Sequence, residues 1–533
     1  MNPTTLTLYD TTLRDGAQRE GLSFSLADKV KITQWLDRLG IDYIETGWPG
    51  SNPKDREFFD RLADLPLAHA QVTAFGSTRR VGVAVEDDAN VAALLAANTS
   101  TITVFGKSWL LHVREVLRTT PEENLKMIAE TIATLREAGR DVIYDAEHYF
   151  DGRRADPAYA LETLQAAAEA GASVLVLCDT NGGTLPTEIA AGIAEAGRCT
   201  NLPLGIHAHN DIETAVAGTL AAVEAGATHV QGTINGYGER CGNANLCSII
   251  PTLQLKMGRP ALRDEQLARL SETARAVSEL ANQRLDPHRP YVGSSAFAHK
   301  GGMHVDALRK HADTYQHIDP ARVGNRSRIV VSELAGRSNV LHKAEEYGLD
   351  FAGGETASAV LARIKELEGR GFQFEGAEGS VELMIRRTEA GYEPPFELLD
   401  FHVLIRSGEN GAMAAEATVK VRVGERTVHT ATDGSGPVNA LDAAIRKALL
   451  PTHPQLADVR LTDYKVRILD GEAGTAAQTR VLITSSNGGH SWSTVGCSDN
   501  IIEASWIALS DALEYALCPA ATPVAATSKG HRS

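Results

Sequence analysis

The sequence AEAGASVLVLCDTNGG, residues 168–183, joins the end of a helix to a glycine, an apolar strand and a polar cluster. Glycine is the expected residue at the C-terminal end of a helix, so Gly171 marks the point where the helix stops. Strands that alternate with helices in this way form βα units around a parallel sheet.

The same pattern recurs along the first half of the chain. Clear copies occupy residues 37–50, 136–152 and 223–239, and weaker copies occupy 6–16, 70–80, 101–109 and 202–211. About eight strands in the first ~250 residues is the size of a (β/α)8, or TIM, barrel. An open doubly wound sheet is the alternative, but no GxGxxG follows the first strand. The sequence therefore predicts an α/β protein with a TIM barrel over residues 1–265.

Length and composition restrict the class of protein. A chain of 533 residues, 43% hydrophobic and 23% charged, is expected to form two or three globular domains. Its apolar runs are shorter than the ~18–20 residues that span a bilayer, so no membrane partner is expected. The first residues do not resemble a secretory signal, and six singly spaced cysteines indicate a reduced, cytoplasmic protein. A net charge of −16 argues against a nucleic-acid partner.

Polar side chains follow the predicted strands. In TIM barrels the chemistry lies at the C-terminal ends of the strands, so these residues are expected to face one mouth. They are Arg14, Asp15, Glu45, Ser77, Arg79, Lys107, Glu147, Asp179, Thr180, His207, His209 and the segment from Asn235 to Asn243.

The motif GIHAHND, residues 205–211, predicts a metal site at this mouth. His207 and His209 are two positions apart in a strand and therefore share a face. Two imidazoles with the Asp15 carboxylate, and Asn243 as a weaker oxygen ligand, suit Zn, Mn, Fe or Co, and Mg less naturally. The alternative is that both histidines are hydrogen-bonded core residues.

Three further residues suggest a small polar substrate. Arg14 stands beside the predicted metal site, where a guanidinium stabilises a developing oxyanion, although it equally suits a structural salt bridge. Glu147 and Thr180 are placed to hold the substrate, and their alternative role is to cap structural elements.

At these residues the chain resembles the acyl-CoA-condensing aldolases. This family includes isopropylmalate, homocitrate and citramalate synthases and hydroxymethylglutaryl-CoA lyase. The resemblance lies in LYDTTLRDGAQ (8–18), GIHAHND (205–211) and NGYGERCGNANL (235–246), and it continues through SAFAHKGGMHVDAL (295–308) and DGSGPVNALDAAIRKAL (433–449).

The resemblance implies an acyltransferase that converts acyl to alkyl on transfer, with acetyl-CoA as co-substrate and a divalent metal ion (Zn, Mn or Mg). Residues 45–55, 75–80, 144–152, 178–184 and 235–257 are most similar to the members that use pyruvate. Isopropylmalate synthases usually read Gln-Ser/Thr-Pro-Gly where this chain reads Gln18-Arg19-Glu20-Gly21. Condensing pyruvate would open a threonine-independent route to 2-oxobutanoate and isoleucine.

The same resemblance assigns roles to single residues. Arg14 neutralises the alkoxide, Glu147 and Thr180 hold pyruvate, and His304, tuned by Asp306, takes the proton from the acetyl methyl group. The segment with His304 can cover the barrel of a partner subunit in this family, which implies a homodimer. A large ring at Trp48 is expected to shorten the pocket for the keto acid.

The second half of the chain is expected to form two further regions. Residues 266–395 are predicted to be a helical linker that carries His304, and residues 396–518 an α+β regulatory and dimerisation domain. Residues 519–533, rich in Pro, Ala and Ser, are expected to be disordered.

The resemblance also implies control by a branched-chain amino acid, with isoleucine first and leucine second. The amides near Gly434, Ser435 and Gly436 precede a predicted helix, where exposed N–H groups attract a carboxylate. The alternative is that this loop only caps the helix.

Three rival functions remain. Isopropylmalate synthase differs in the pocket for the keto acid, and a lyase generally lacks the C-terminal domain. A non-catalytic amino-acid sensor is disfavoured because Arg14, Asp15, His207, His209 and His304 are all intact.

Overall fold

The computed structural model describes residues 6–62, 65–332, 336–347, 354–407 and 413–518. It divides into two compact units, of which the first comprises Met1–Phe297 with Ile318–Arg326 and the second Ala298–His317 with the chain from Ser327 onward. The predicted disordered tail, residues 519–533, lies outside the described residues.

The first unit is built on a closed barrel of eight parallel strands, as the sequence predicts. The first strand pairs with the last, so that Tyr9 lies opposite Gln231 on one side and Tyr43 on the other. The strands are β1 (Thr7–Asp10), β2 (Tyr43–Gly47), β3 (Gln71–Ser77), β4 (Thr101–Lys107), β5 (Asp141–Glu147), β6 (Val174–Asp179), β7 (Leu204–Ala208) and β8 (His229–Gly232).

Helices accompany these strands along the chain. They are α1 (Leu26–Leu39), α2 (Pro53–Asp60), α3 (Ala89–Ala96), α4 (Pro121–Glu137), α5 (Tyr149–Ala155), α6 (Pro157–Glu169), α7 (Pro186–Cys199), α8 (Ala215–Glu224), α9 (Leu246–Leu255), α10 (Asp264–Leu267) and α11 (Leu270–Leu280).

Local sequence sets the ends of these helices. Ser25 forms a capping box with Asp28 at the start of α1, and Asp156 accepts a hydrogen bond from the Tyr159 amide at the start of α6. Gly40 and Gly171 follow α1 and α6 with positive φ angles of 96° and 99°, a conformation that suits glycine. Both glycines therefore end their helices for the reason that the sequence pattern predicted, namely that they adopt a positive φ angle.

The second unit begins with two short strands and four helices. These are β9 (Ala298–His299), α12 (Gly302–Lys310), β10 (Arg328–Ile329), α13 (Arg337–Glu346), α14 (Gly354–Gly369) and α15 (Glu378–Arg386). Helix α15 is tied to later parts of the chain, since the Ser380 hydroxyl donates to Asp511 and Arg387 pairs with Glu514.

Two three-stranded antiparallel sheets, each followed along the chain by a helix, complete this unit. The first comprises β11 (Glu397–Ser407), β12 (Met413–Val423) and β13 (Arg426–Gly434), followed by α16 (Pro437–Leu449). The second comprises β14 (Arg460–Ile468), β15 (Thr479–Ser486) and β16 (Ser491–Ser498), followed by α17 (Ile501–Leu517). Alternate residues of β12, Ala417, Val419 and Val421, are fully buried, as in a sheet with one covered face. The α+β prediction is confirmed.

Among the described residues, the helices are all too short or too polar to cross a membrane.

Candidate active site

A cavity of about 220 Å³ opens among the residues that end the barrel strands. It brings together seven of the single residues predicted from the sequence, and two residues of the predicted segment 235–243. They are Arg14, Asp15, Trp48, Glu147, Thr180, His207 and His209, with Glu239 and Arg240. These residues therefore share one cavity at the mouth of the barrel.

Asp15, His207 and His209 form a compact cluster of metal-binding groups. Their ligand atoms all lie within 4.8 Å of one another, and all three residues are buried. Asp15 Oδ2 is 3.3 Å from His207 Nε2 and 3.6 Å from His209 Nε2. Two nitrogens and one carboxylate facing a common point match the mixed donor set of a Zn or Mn site.

Unsatisfied polar atoms at the cluster provide an independent test of this fit. Asp15 Oδ1, His209 Nδ1 and Asn243 Oδ1 are buried and find no hydrogen-bond partner among the described residues. Asn243 pairs with His209 through an isolated backbone bridge, which places its amide beside the histidines. Since a buried acceptor without a partner is costly, oxygens of Asp15 and Asn243 are suitable for a cation.

The charges around the cluster favour the metal-binding forms of Asp15 and His209. Burial by itself raises the pKa of Asp15, but Arg14 and the two histidines outweigh it and hold that pKa well below its usual range. Burial lowers the pKa of His209 to about 4, so its imidazole is neutral at pH 7. Burial also lowers the pKa of His207, but its contact with Asp15 outweighs burial and raises that pKa. An ionised carboxylate and a neutral imidazole are the protonation states that bind a metal.

A buried hydrogen-bonded chain supports His207 from behind. His207 Nδ1 lies 2.9 Å from Gln231 Oε1, and Gln231 Nε2 donates to Asp145 Oδ1 over 3.0 Å. Burial raises the pKa of Asp145 to about 7, and the nearby His207 opposes that rise.

Arg14 is held on two sides. Its Nε donates to Glu45 Oε1 over 2.5 Å, and its guanidinium carbon lies 3.8 Å from the centre of the Phe75 ring. Glu45 is fully buried and also accepts hydrogen bonds from Tyr9 and Thr11. The guanidinium is thereby fixed beside Asp15, with Nη1 3.3 Å from Asp15 Oδ2.

An aromatic wall closes one side of the cavity. The Trp48 ring meets Phe75 and Phe105 edge to face, with centroids 6.0 Å and 5.5 Å apart. Trp48 Nε1 donates to Asn90 Oδ1 over 2.7 Å, and Asn90 Nδ2 donates to the Ser77 carbonyl over 2.7 Å. The indole orientation is therefore fixed by a hydrogen bond as well as by packing.

Glu147 and Thr180 line another part of the cavity. Glu147 pairs with Lys107. The Thr180 hydroxyl accepts a hydrogen bond of 2.8 Å from the His148 amide, and the Thr180 carbonyl accepts one from Arg240.

Several residues at strand ends do not line the cavity. Arg79 is buried against Glu123 and Glu130 on α4, and Asn235 donates to the Ala274 carbonyl on α11. The expectation that every strand end points into the mouth was wrong for these two, because their side chains bond to outer helices instead. Asp179 accepts hydrogen bonds from Thr184 and so braces the following loop.

Reasoning from strand ends also missed residues of the cavity wall. Asp145 lies two residues before Glu147 in β5 and thus on the same face, which was the available signal. The other missed residues that line the cavity are Gln18, Phe75, Phe105 and Cys178.

His304 and Asp306 lie on α12 of the second unit. The His304 ring stacks on Tyr315 with centroids 4.1 Å apart, and His304 is exposed. The Asp306 carboxylate accepts from Lys310 over 2.7 Å, one helical turn further on. Residues two apart on a helix do not share a face, so Asp306 is poorly placed to tune His304.

The predicted effector loop stands before α16. The Ser435 amide donates to the Asn439 side-chain oxygen over 3.0 Å, so this amide is occupied within the chain. Gly434 approaches α16 closely, since a Cβ added there would lie 2.4 Å from the Ala440 nitrogen.

Comparison with known proteins covers almost the whole chain. Residues 5–277 match the HMGL-like family, residues 291–371 the homocitrate synthase post-HMGL domain, and residues 375–517 the LeuA allosteric (dimerisation) domain. A protein of Synechocystis sp. named (R)-citramalate synthase is 56% identical over 96% of both chains. One of the same name from Geobacter sulfurreducens is 51% identical over 96% of this chain and 97% of the other. A 2-isopropylmalate synthase of Pyrococcus furiosus is 32% identical over 93% and 96%. The chain therefore belongs to the (R)-citramalate synthase family of HMGL-like enzymes.

Proposed function

We propose that the protein condenses pyruvate with acetyl-CoA and hydrolyses the thioester, so that pyruvate, acetyl-CoA and water give (R)-citramalate and free CoA. The single observation that carries this proposal is the identity of 45–56% with five proteins named (R)-citramalate synthase, each over 96% of this chain. Relatives named 2-isopropylmalate synthase reach 29–32%.

The aromatic wall supports a small acceptor. Trp48, Phe75 and Phe105 line the cavity with bulky rings, so we expect the acceptor site to favour a methyl group over a branched side chain. An apolar pocket discriminates by about 10- to 200-fold per methylene, so 2-oxobutanoate is expected to be a weaker acceptor.

Asp15, His207 and His209, with Asn243, are the residues that would hold a divalent metal ion. When bound, such an ion polarises the keto-acid oxygens as a Lewis acid. Arg14 is fixed beside this point by Glu45 and Phe75, so its guanidinium is preorganised to stabilise the charge that develops on the ketone oxygen. Glu147 and Thr180, which also line the cavity, would hold pyruvate.

The acetyl methyl group must lose a proton, and His304 is the proposed base. It is exposed on α12 beside Met303, whose side chain is 82% exposed. An exposed apolar side chain next to a proposed base favours a surface that a second copy of the chain covers. We therefore propose a homodimer in which His304 serves the partner's barrel.

Two inactive variants test this arrangement. Arg14→Ala and His304→Ala are each expected to be inactive, yet their mixture after subunit exchange is expected to recover about a quarter of wild-type activity, because half of the dimers then contain one intact site. If the mixture stays inactive while mixed dimers form, His304 acts within its own chain.

The proposed reaction is tested by the release of free thiol from acetyl-CoA. The enzyme is supplied in turn with pyruvate, 2-oxobutanoate, 2-oxoisovalerate, glyoxylate and 2-oxoglutarate. Pyruvate is expected to give the highest kcat/KM, and little thiol should form without a keto acid. If 2-oxoisovalerate is the best acceptor, the enzyme is an isopropylmalate synthase instead.

Metal removal tests the proposed ion. Dialysis against a chelator is expected to abolish thiol release, and Zn²⁺, Mn²⁺ or Mg²⁺ to restore it in the wild type. His209→Ala is expected to remain inactive after the same addition, while its circular dichroism stays that of the wild type. Near-normal turnover of the chelator-treated wild type would exclude a metal-dependent reaction.

We further propose that a branched-chain amino acid, with isoleucine first, inhibits the enzyme through the C-terminal domain, and that the amides near Gly434, Ser435 and Gly436 receive its carboxylate. The match of residues 375–517 to an allosteric domain supports this proposal. Because the Ser435 amide already donates to Asn439, an effector carboxylate would have to displace Asn439 or use the neighbouring amides.

A further inference from the structure

We propose that Gln231 and Asp145 are positioning residues that hold the His207 imidazole in the Nδ1–H form, so that its Nε2 lone pair faces the metal ion. This inference rests on the metal site proposed above. It assigns a role to two buried polar side chains that the reaction does not otherwise use.

The three side chains join strands β7, β8 and β5 through hydrogen bonds. His207 Nδ1 lies 2.9 Å from Gln231 Oε1, and Gln231 Nε2 lies 3.0 Å from Asp145 Oδ1. All three are buried, and Gln231 is fully inaccessible to solvent. Because water does not compete for these groups, each donor and acceptor is committed to the partner in this chain.

The carboxylate at one end determines the direction of every hydrogen bond. A glutamine amide has a donating and an accepting end, which half a turn of its last torsion exchanges. An ionised carboxylate accepts only, so Asp145 draws the NH2 of Gln231 toward itself and turns the oxygen toward His207. That oxygen also accepts only, so His207 must donate from Nδ1, and the neutral ring then carries its lone pair on Nε2.

His209 provides the contrast within the same site. Its Nδ1 is buried without a partner among the described residues, so nothing in this part of the chain selects its protonated nitrogen. His207 Nε2, in comparison, is already directed at Asp15 Oδ2, 3.3 Å away. His207 is therefore the preoriented ligand, and its support comes from outside the ligand set.

Metal affinity measures this support without reference to turnover. The metal-free protein is titrated with Zn²⁺ against a competing chelator at pH 8, above the pKa of about 7 to which burial raises Asp145. Gln231→Met removes both hydrogen bonds at similar volume, and Asp145→Asn allows the amide to turn. Each is expected to weaken Zn²⁺ binding by about 10- to 100-fold, the usual effect of losing a partner behind a metal ligand.

Exchanging the carboxylate of residue 145 and the amide of residue 231 tests whether the direction of the hydrogen bonds matters, rather than the packing of the side chains. In the double variant Asp145→Asn/Gln231→Glu, the new amide donates to the new carboxylate, whose other oxygen accepts from His207 Nδ1. This swap is expected to restore Zn²⁺ affinity to within about threefold of the wild type. A merely structural role would give no such rescue, since the double variant carries two changes in the barrel interior.

His229→Leu is the matched control. His229 lies two residues before Gln231 on β8 and is equally buried, but its ring nitrogens have no hydrogen-bond partner among the described residues. It is expected to bind Zn²⁺ as the wild type does. Unchanged affinity in Gln231→Met and Asp145→Asn, or a swap no tighter than Asp145→Asn alone, would overturn the inference. Failure of the wild type to bind Zn²⁺ would instead overturn the metal site itself.

Discussion

Arg14 shows at the scale of one residue why a charge alone is insufficient in this cavity. Its Nε donates to Glu45 and its guanidinium lies over the Phe75 ring, and its Nη1 lies 3.3 Å from Asp15 Oδ2. A lysine ammonium has neither the planar fork nor the stacking surface. Arg14→Lys is therefore expected to lower kcat by on the order of 100-fold, as for losing an oxyanion donor. A decrease of tenfold or less, measured by thiol release, would make Arg14 a structural residue.

Trp48 is expected to limit the size of the acceptor. Removing its ring in Trp48→Ala opens the cavity beside Phe75 and Phe105, so the kcat/KM ratio of 2-oxobutanoate to pyruvate is expected to rise by about tenfold or more. Trp35→Ala, which removes an indole from α1 outside the cavity, serves as the control. An unchanged ranking of acceptors in Trp48→Ala would show that the ring is not the gate.

At the scale of an element, strand β8 carries a histidine that opposes folding at acid pH. His229 is buried between Tyr9 and Tyr43, neither ring nitrogen has a partner among the described residues, and burial lowers its pKa to about 3. The ordinary pKa is about 6.5. The neutral ring thus contributes stability above pH 6.5, and this contribution is lost as the pH falls from 6.5 toward 3.

His229→Leu is expected to remove this pH dependence from the barrel. The wild type should lose roughly 2 kcal/mol relative to the variant between pH 6.5 and 5, at about 1.4 kcal/mol per pH unit. The measurement is the unfolding midpoint of the metal-free protein in urea at each pH, compared between the two proteins. Parallel curves would mean that His229 is protonated in the folded barrel or gains a partner there.

For the whole molecule, the chain contains a C-terminal domain that supplies none of the proposed metal or keto-acid ligands. Each proposed metal and keto-acid ligand precedes residue 250, whereas the match to an allosteric domain covers residues 375–517. Full-length enzyme is expected to be inhibited by millimolar isoleucine and less by leucine, with a coupling free energy of about 1–3 kcal/mol.

Gly434→Ala is expected to abolish that inhibition while thiol release continues. A Cβ at Gly434 would lie 2.4 Å from the Ala440 nitrogen, so the start of α16 must shift away from β13. Gly489→Ala is the control, because a Cβ there meets its nearest neighbour at 3.9 Å. If the wild-type enzyme ignores both amino acids at millimolar concentration, the domain serves assembly rather than feedback.

The barrel, and the meeting of its strand-end residues at one cavity, could be predicted from the sequence alone. The local conformation of each helix–glycine–strand copy can be predicted from its own residues, because helix capping and hydrophobic periodicity act within a few residues. The C-terminal ends of parallel strands meet at one end of a barrel whatever the conformation of the loops. Asp15, His207 and His209 could therefore be predicted to form one cluster. The motifs also identified the family without any knowledge of contacts.

The tertiary structure was needed to show which strand-end side chains point into the cavity and which residues hydrogen-bond to them. Arg79 follows β3 as Arg14 follows β1, yet it binds carboxylates on α4, because partners distant in the chain compete for a long flexible side chain. The chain from Asp145 through Gln231 to His207 joins residues 86 and 24 positions apart. Hydrogen bonds of this kind leave no local pattern, since they depend on the order of strands around the closed barrel.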